Sequence, residues 1–338
     1  MTATPQWHIY RGTNEPHDGI EHLPPPPPWR AFEGPVVDQS VPEPVAPGQG
    51  GHRANAAAGY LPEADTVELT NISLMLRRPL LVTGKPGTGK STLARSVAYQ
   101  LRLGPVLHWP ISSQSRLSDA LYQYDAIGRL QQTNLARVGA GSEQALSIGQ
   151  FIRLGPLGTA LVGQRRPRVL LIDELDKSDI DLPNDLLNVL EEGQFDIREL
   201  TREAETGDIR VPTWDIDGWA TVRNGRVRCH AFPVIVITSN DEREFPPAFL
   251  RRCVRLHIQP PSAEKLSQIV TSQLGEVALD GAADVVEEFT TLRDTQNLST
   301  DQLLNAVYFA TSGMEPDKVA RLSAVRRIFR DLGPGAEG

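Results

Sequence analysis

The chain has 338 residues and a mass of 37.1 kDa, a length that points to about two domains. Its hydrophobic fraction of 40% and charged fraction of 22% are ordinary for a protein that buries a core. A net charge of −8 argues against holding nucleic acid by the overall field, and two cysteines, Cys229 and Cys253, exclude a disulfide scaffold and a four-cysteine zinc site.

Eleven of the 27 prolines fall in the first 50 residues, five of them in the run Pro24 to Pro28. Such a stretch favours polyproline II and cannot pack by itself. Yet it carries Trp7, Tyr10, Trp29 and Phe32. Two readings stand: a solvated linker, or an arm whose aromatic side chains dock on this domain, a neighbouring subunit or a partner. Gly48 to Gly51 reads as a hinge. We take residues 1–55 as this arm.

From about residue 56 short apolar runs alternate with helical periods, the pattern of an α/β sheet. Strands are expected at Pro79–Thr83, Val106–Pro110, Val169–Asp173, Val234–Ser239 and Val254–Ile258. Their continuous apolar character suits strands covered on both faces.

The first strand runs into Gly84-Lys85-Pro86-Gly87-Thr88-Gly89-Lys90-Ser91, which fits G-x-x-x-x-G-K-[ST] at every fixed position. A helix over Ser91–Leu101 follows, carrying Thr92 in its first turn. The glycines let backbone N–H groups turn inward around phosphates, and the helix start adds a positive dipole. Lys90 would reach the β- and γ-phosphates, and the Ser91 hydroxyl would ligate Mg²⁺. Only five lysines occur against 29 arginines, so a lysine at this position suits a point-charge role.

The third strand ends in Asp173-Glu174. On a parallel sheet both carboxylates then lie at the strand's C-terminal end, beside the phosphate loop. Asp173 would hold Mg²⁺ through water and Glu174 would orient the attacking water. Beyond them a helix spans Pro183–Glu192, with proline in its first turn and Gly193 past its end. Asn224-Gly225 between Ala220–Arg223 and Arg226–Cys229 signals a hairpin. After Pro260-Pro261, apolar residues recur at helical spacing in four stretches. Leu266 to Val277, Val285 to Leu292, Leu303 to Tyr308 and Val319 to Leu332 make a helical second domain over 261–338, behind a core over 56–260.

The longest apolar runs, such as Val234 to Ile237, fall far short of the roughly 20 residues of a membrane helix. The N-terminus has no basic-then-apolar pattern. With two reduced, buried cysteines expected, the chain reads as cytoplasmic, without a membrane partner.

Taken together, the phosphate loop, Asp173 to Lys177, Asp181 to Asn188, Glu192 to Phe195, Ile237 to Asp241 and Pro246 to Cys253 resemble the MoxR-like, dynein-related branch of AAA+ ATPases. The likeness covers roughly residues 60–310. It implies a P-loop αβα sandwich around a parallel five-stranded sheet, followed by a small helical lid, with ATP and Mg²⁺ as ligands. Tyr122 to Ala126 and Ile148 to Pro156 are similar to the family's region between the second and third strands.

On that resemblance Asn240 matches the polar sensor that positions the attacking water. Arg252 matches the finger that enters a neighbouring subunit's site, with Arg251 beside it as the alternative. Lys177 is either a contact to a neighbour or a solvated charge. AAA+ lids often carry a further sensing arginine, yet Asn297 to Leu304 contains no basic residue. Arg321, Arg326, Arg327 and Arg330 are the alternatives. The hairpin resembles an insertion that projects toward a ring's channel, with Trp214, Trp219, Arg223, Arg226 and Arg228 as contact candidates or as packing residues.

The function implied is a ring-forming ATPase, expected as a hexamer, that remodels or activates a protein partner. Members of this branch commonly act with von Willebrand A-type proteins, some of them in bacterial defence or stress systems. The competing reading is a nucleotide-gated scaffold with little turnover. Nucleic acid is disfavoured as a partner by the acidic balance, and no base-reading motif separates ATP from GTP.

Overall fold

The computed structural model describes residues 5, 7–43, 59–137, 147–202, 207–296, 298–312 and 318–331. The expected hinge at Gly48 to Gly51 lies outside them. Five parallel strands form the central sheet: β1 (Leu80–Thr83), β2 (Leu107–Pro110), β3 (Val169–Asp173), β4 (Val234–Ser239) and β5 (Val254–His257). Their order is β5-β1-β4-β3-β2, so β1 and β3 flank β4, with Val236 opposite Leu80 on one side and Leu171 on the other.

Successive side chains on a strand point to opposite faces, and the apolar runs divide accordingly. Leu81, Leu170, Ile172, Ile235 and Ile237 enter one buried cluster. Leu80, Val82, Val169, Leu171, Val234 and Val236 enter the other. Helices α1 (Ala64–Leu76) and α2 (Lys90–Gln100) cover the second face, and α3 (Leu182–Glu192) lies against the first. Gly193 caps α3 in the left-handed conformation at φ 62°, its N–H donating to Val189 at 2.9 Å.

The hairpin forms from Trp219–Arg223 and Arg226–Arg228, with Asn224 at φ 51° and Gly225 at φ 68° in its turn. It does not stand alone. Asp208–Pro212, Gln194–Asp196 and the arm strand Gln39–Ser40 join it in a second, antiparallel sheet. Arg210 stacks on Trp219 and Arg153 on Trp214, while Arg226 and Arg223 pair with Asp196 and Asp208. Tyr122–Tyr124 and Ile152–Leu154 pair as a small separate ribbon.

Of the two readings of the proline-rich segment, the structure has the docked one. Tyr10 is wholly buried, its hydroxyl 2.8 Å from Ser96 Oγ. The Asn71 side chain accepts from the backbone N–H groups of Ile9 and Tyr10 and donates to the Tyr10 carbonyl. Arg30 is buried beside the stacked rings of Phe32 and Phe232. Trp29 remains exposed.

Beyond β5 lie α4 (Ala263–Leu274), α5 (Glu276–Gly281), α6 (Ala283–Gln296), α7 (Thr300–Thr311) and α8 (Lys318–Asp331). They share a core of Leu266, Val270, Phe289, Leu303, Val325 and Phe329. The expected first stripe runs too far: α4 ends at Leu274, Gly275 turns at φ 90°, and Val277 is 87% exposed. Among the described residues no helix is long and apolar enough to cross a membrane.

Candidate functional site

The loop Gly84 to Ser91 joins β1 to α2. Gly84, Gly87 and Gly89 all have positive φ, at 142°, 73° and 87°, which only glycine adopts without strain. A Cβ at Gly84 would collide with the Ile258 carbonyl, and one at Gly87 with Ser299 of the lid. The Tyr60 ring lies 3.0 Å from where a Gly89 Cβ would stand. No side chain caps the start of α2, so its first N–H groups, with Ser91 and Thr92 beside them, remain available to a ligand.

Lys90 is 7% exposed. Its ammonium donates to the Gly84 carbonyl at 2.6 Å, the Lys85 carbonyl at 2.8 Å and Asn240 Oδ1 at 2.8 Å. Burial lowers its pKa, against the opposing pull of Asp176, Asp241, Glu174 and Asp173. Thr88 Oγ1 bonds back to the Lys85 carbonyl at 2.9 Å and stiffens the turn.

Asp173 sits at the end of β3. Its Oδ1 accepts from Ser91 Oγ at 2.6 Å and Thr238 Oγ1 at 2.7 Å, and its Oδ2 lies 3.1 Å from His108 Nε2. Burial pushes the carboxyl up, but the bonds from His108, Ser91 and Thr238 outweigh it and hold the pKa at about 2. Ser91 and Asp173 are hard oxygen donors in contact, the pair that fits Mg²⁺ held by one or two protein groups plus phosphates. Among the described residues no cluster of three His, Cys, Asp or Glu makes an all-protein metal cage.

Glu174 takes the left-handed conformation at φ 61°, a cost that surrounding bonds must hold in place. Its N–H donates to Thr238 Oγ1 at 2.8 Å. Lys177 Nζ donates to its Oε2 at 2.8 Å, and Asn240 Nδ2 lies 3.4 Å from its Oε1. Lys177 is therefore paired within the chain. Asn240 follows β4, and its N–H is held by Asp176 Oδ2 at 2.8 Å. One amide thus spans Lys90 and Glu174.

Arg251 and Arg252 stand apart from this cluster. Arg252 Nε donates to Glu191 at 2.9 Å and its Nη1 to the Ala248 carbonyl at 3.1 Å. The Arg251 carbonyl accepts from Arg78 at 2.7 Å. Neither arginine bonds to Lys90, Ser91, Asp173, Glu174 or Asn240.

Sequence reasoning missed His108, Thr238 and Arg293. His108 and Thr238 sit inside strands that read as apolar, and strand order alone brings them to Asp173. Arg321 and Arg326 pair with Asp284 and Glu288 inside the lid, while Arg293 of α6 donates to the Pro261 carbonyl and lines a cleft with Lys85, Pro86, Thr88 and Thr300. Its signal was its place four residues beyond Phe289, on the helix face turned inward.

No curated protein is recognisably similar in sequence to this chain. Residues 79–253, just over half of the chain, match the family described as AAA domain (dynein-related subfamily). The match begins at β1 and ends at Cys253, so it takes in the phosphate loop, the two acids, Asn240 and both arginines. With that loop, sheet order and helical lid in place, the chain belongs to the dynein-related subfamily of AAA domains and is a nucleotide-binding AAA+ ATPase.

Proposed function

We propose that the chain is a Mg²⁺-dependent ATPase of the MoxR-like branch that works as a ring homo-oligomer, a hexamer, to remodel or activate a protein partner. The observation that carries this reading is the Asn240 side chain, bonded to Lys90 on one side and reaching toward Glu174 on the other. A site that only held nucleotide would not need its phosphate-binding lysine and its general base joined through one amide.

Gly84 to Ser91 and Thr92 cradle the phosphates, and Lys90 turns from the loop carbonyls to the γ-phosphate side. Ser91 and Asp173 would hold Mg²⁺, which would supply positive charge against the phosphate oxygens. Asp173, acidic with a pKa at about 2, stays ionised throughout. Glu174 accepts the proton of the attacking water, and Asn240 keeps that water in line. Arg252, or Arg251 beside it, supplies a cation to the neighbouring subunit's site. The partner is a protein, of von Willebrand A type or otherwise co-acting, in a defence or stress system.

A second reading, a nucleotide-gated scaffold, draws on the Lys177 bond that occupies one oxygen of Glu174. ATP turnover per subunit against protein concentration, with Glu174→Gln as blank, separates the two. A steep rise to a plateau supports sites completed between subunits. A flat response near the blank supports the scaffold.

A further inference from the structure

Glu191, in the last turn of α3, turns its two carboxylate oxygens to different cations. Oε2 accepts from Arg30 Nη1 at 3.2 Å, and Oε1 accepts from Arg252 Nε at 2.9 Å. Arg30 belongs to the N-terminal arm, 161 residues away in sequence. It is immobile. Its Nε and Nη2 donate to the Arg77 carbonyl at 3.2 and 2.8 Å, and Nη2 also donates to the Leu190 carbonyl at 3.1 Å. Its guanidinium lies 5.0 Å from the Phe32 ring centre and 4.6 Å from that of Phe232. At 5% exposure it needs a carboxylate, and Glu191 is its ion-pair partner.

A carboxylate anchored through one oxygen to a fixed fork has little freedom left in the other. That second oxygen is the one that holds Arg252 Nε. The Ala248 carbonyl holds Nη1, and Nη2 makes no hydrogen bond among the described residues. The guanidinium is thus held at Nε and Nη1, with Nη2 left to a different partner.

We propose that Glu191 is a positioning residue for Arg252 and that Arg30 fixes Glu191, so that the docked arm forms part of the machinery serving the adjacent subunit's site. This rests on the reading of Arg252 as the residue that acts in a neighbouring subunit. It gives the arm a role in turnover that a tether or a packing element would not have.

The test uses the full chain, with turnover measured at saturating ATP on the protein-concentration plateau, and nucleotide affinity measured separately with a fluorescent ADP analogue. The variants are Arg252→Ala, Glu191→Gln, Arg30→Met and the double variant Glu191→Gln with Arg252→Ala. Displacing a reacting group by an ångström costs on the order of 10²-fold, so Glu191→Gln and Arg30→Met are expected to lower turnover by about tenfold or more. Affinity stays unchanged, and the double variant falls no lower than Arg252→Ala alone.

If Arg252→Ala lowers turnover while Glu191→Gln leaves it intact, the proposal is overturned and the role of Arg252 survives. If Arg252→Ala changes nothing, the role of Arg252 fails and the proposal goes with it. A rise in turnover in Glu191→Gln would make Glu191 a restraint instead, which also overturns it. Should Arg30→Met fail to fold, Glu191→Gln decides alone, because it keeps the shape of a half-exposed side chain.

Discussion

Lys90 Nζ and Asn240 Oδ1 lie 2.8 Å apart across 150 residues of sequence. The contact exists because β1 and β4 are neighbours in the sheet, so that the residues following each strand meet at one edge. It joins the phosphate loop to the end of β4.

Lys90→Ala removes a charged donor shared by three acceptors. Hydrogen bonds to charged groups are worth about 1.5–3 kcal/mol each, so nucleotide affinity is expected to fall roughly tenfold to a hundredfold. Titration with a fluorescent nucleotide checks this, and unchanged affinity would remove the phosphate-loop assignment.

Glu174→Gln is expected to bind ATP and retain it, because the amide keeps the shape and loses the base. Glu174→Gly makes a different prediction for stability. It relieves a left-handed residue whose strain is of the order of 1 kcal/mol, so thermal stability should hold or rise while turnover is lost. Turnover at the wild-type level in Glu174→Gln would show that another group handles the water.

The bonds from His108, Ser91 and Thr238 hold the Asp173 pKa at about 2 in the folded chain, below the 3.8 of an unperturbed aspartate. A depressed carboxylate pKa stabilises the fold at pH above the unfolded value, and that contribution fades as pH falls through the folded value. The difference amounts to about 2 kcal/mol at neutral pH. Urea unfolding of wild type and Asp173→Asn should therefore converge as pH drops from about 4 to about 2. A gap that stays constant over that window would mean the carboxylate is not held by Ser91, Thr238 and His108.

Arg252→Ala should spare nucleotide affinity and cut turnover, by about 10³-fold if it serves as a trans-acting finger. The same loss in Arg251→Ala alone would move the role one residue earlier. Mixing Arg252→Ala with Glu174→Gln subunits, each inactive alone, should restore turnover only where sites are shared.

Tyr10→Ala tests the arm. Truncating a fully buried aromatic costs about 3–5 kcal/mol, here with the Ser96 hydroxyl left unpaired. A shift in the thermal midpoint confined to the arm, read by the environment of the nearby Trp7, would show that the arm undocks before the sheet unfolds.

What could be read in advance followed from local pattern. Strand runs such as Val234–Ser239 are unbroken because both faces are covered, and Asn224-Gly225 dictates its turn. The phosphate loop and the Asp173-Glu174 pair are likewise local. The arm was not legible, since Tyr10 depends on Asn71 and Ser96, at separations of 61 and 86 residues. His108 was hidden for the same reason: strand order, rather than spacing, brings it to Asp173. Val277 misled because its apolar character fits the stripe of α4, while Gly275 ends that helix first.

The strand Gln39–Ser40 pairs with Trp219 and Ala220, and this has a consequence during synthesis. The arm leaves the ribosome before its partner strand, which follows some 180 residues later. Contacts of such sequence separation form slowly, because loop closure must precede any reward. Until then the arm has no sheet to join, and its prolines, without N–H donors, cannot start one. Closure of Gln39 on Ala220 is the late step that completes the second sheet.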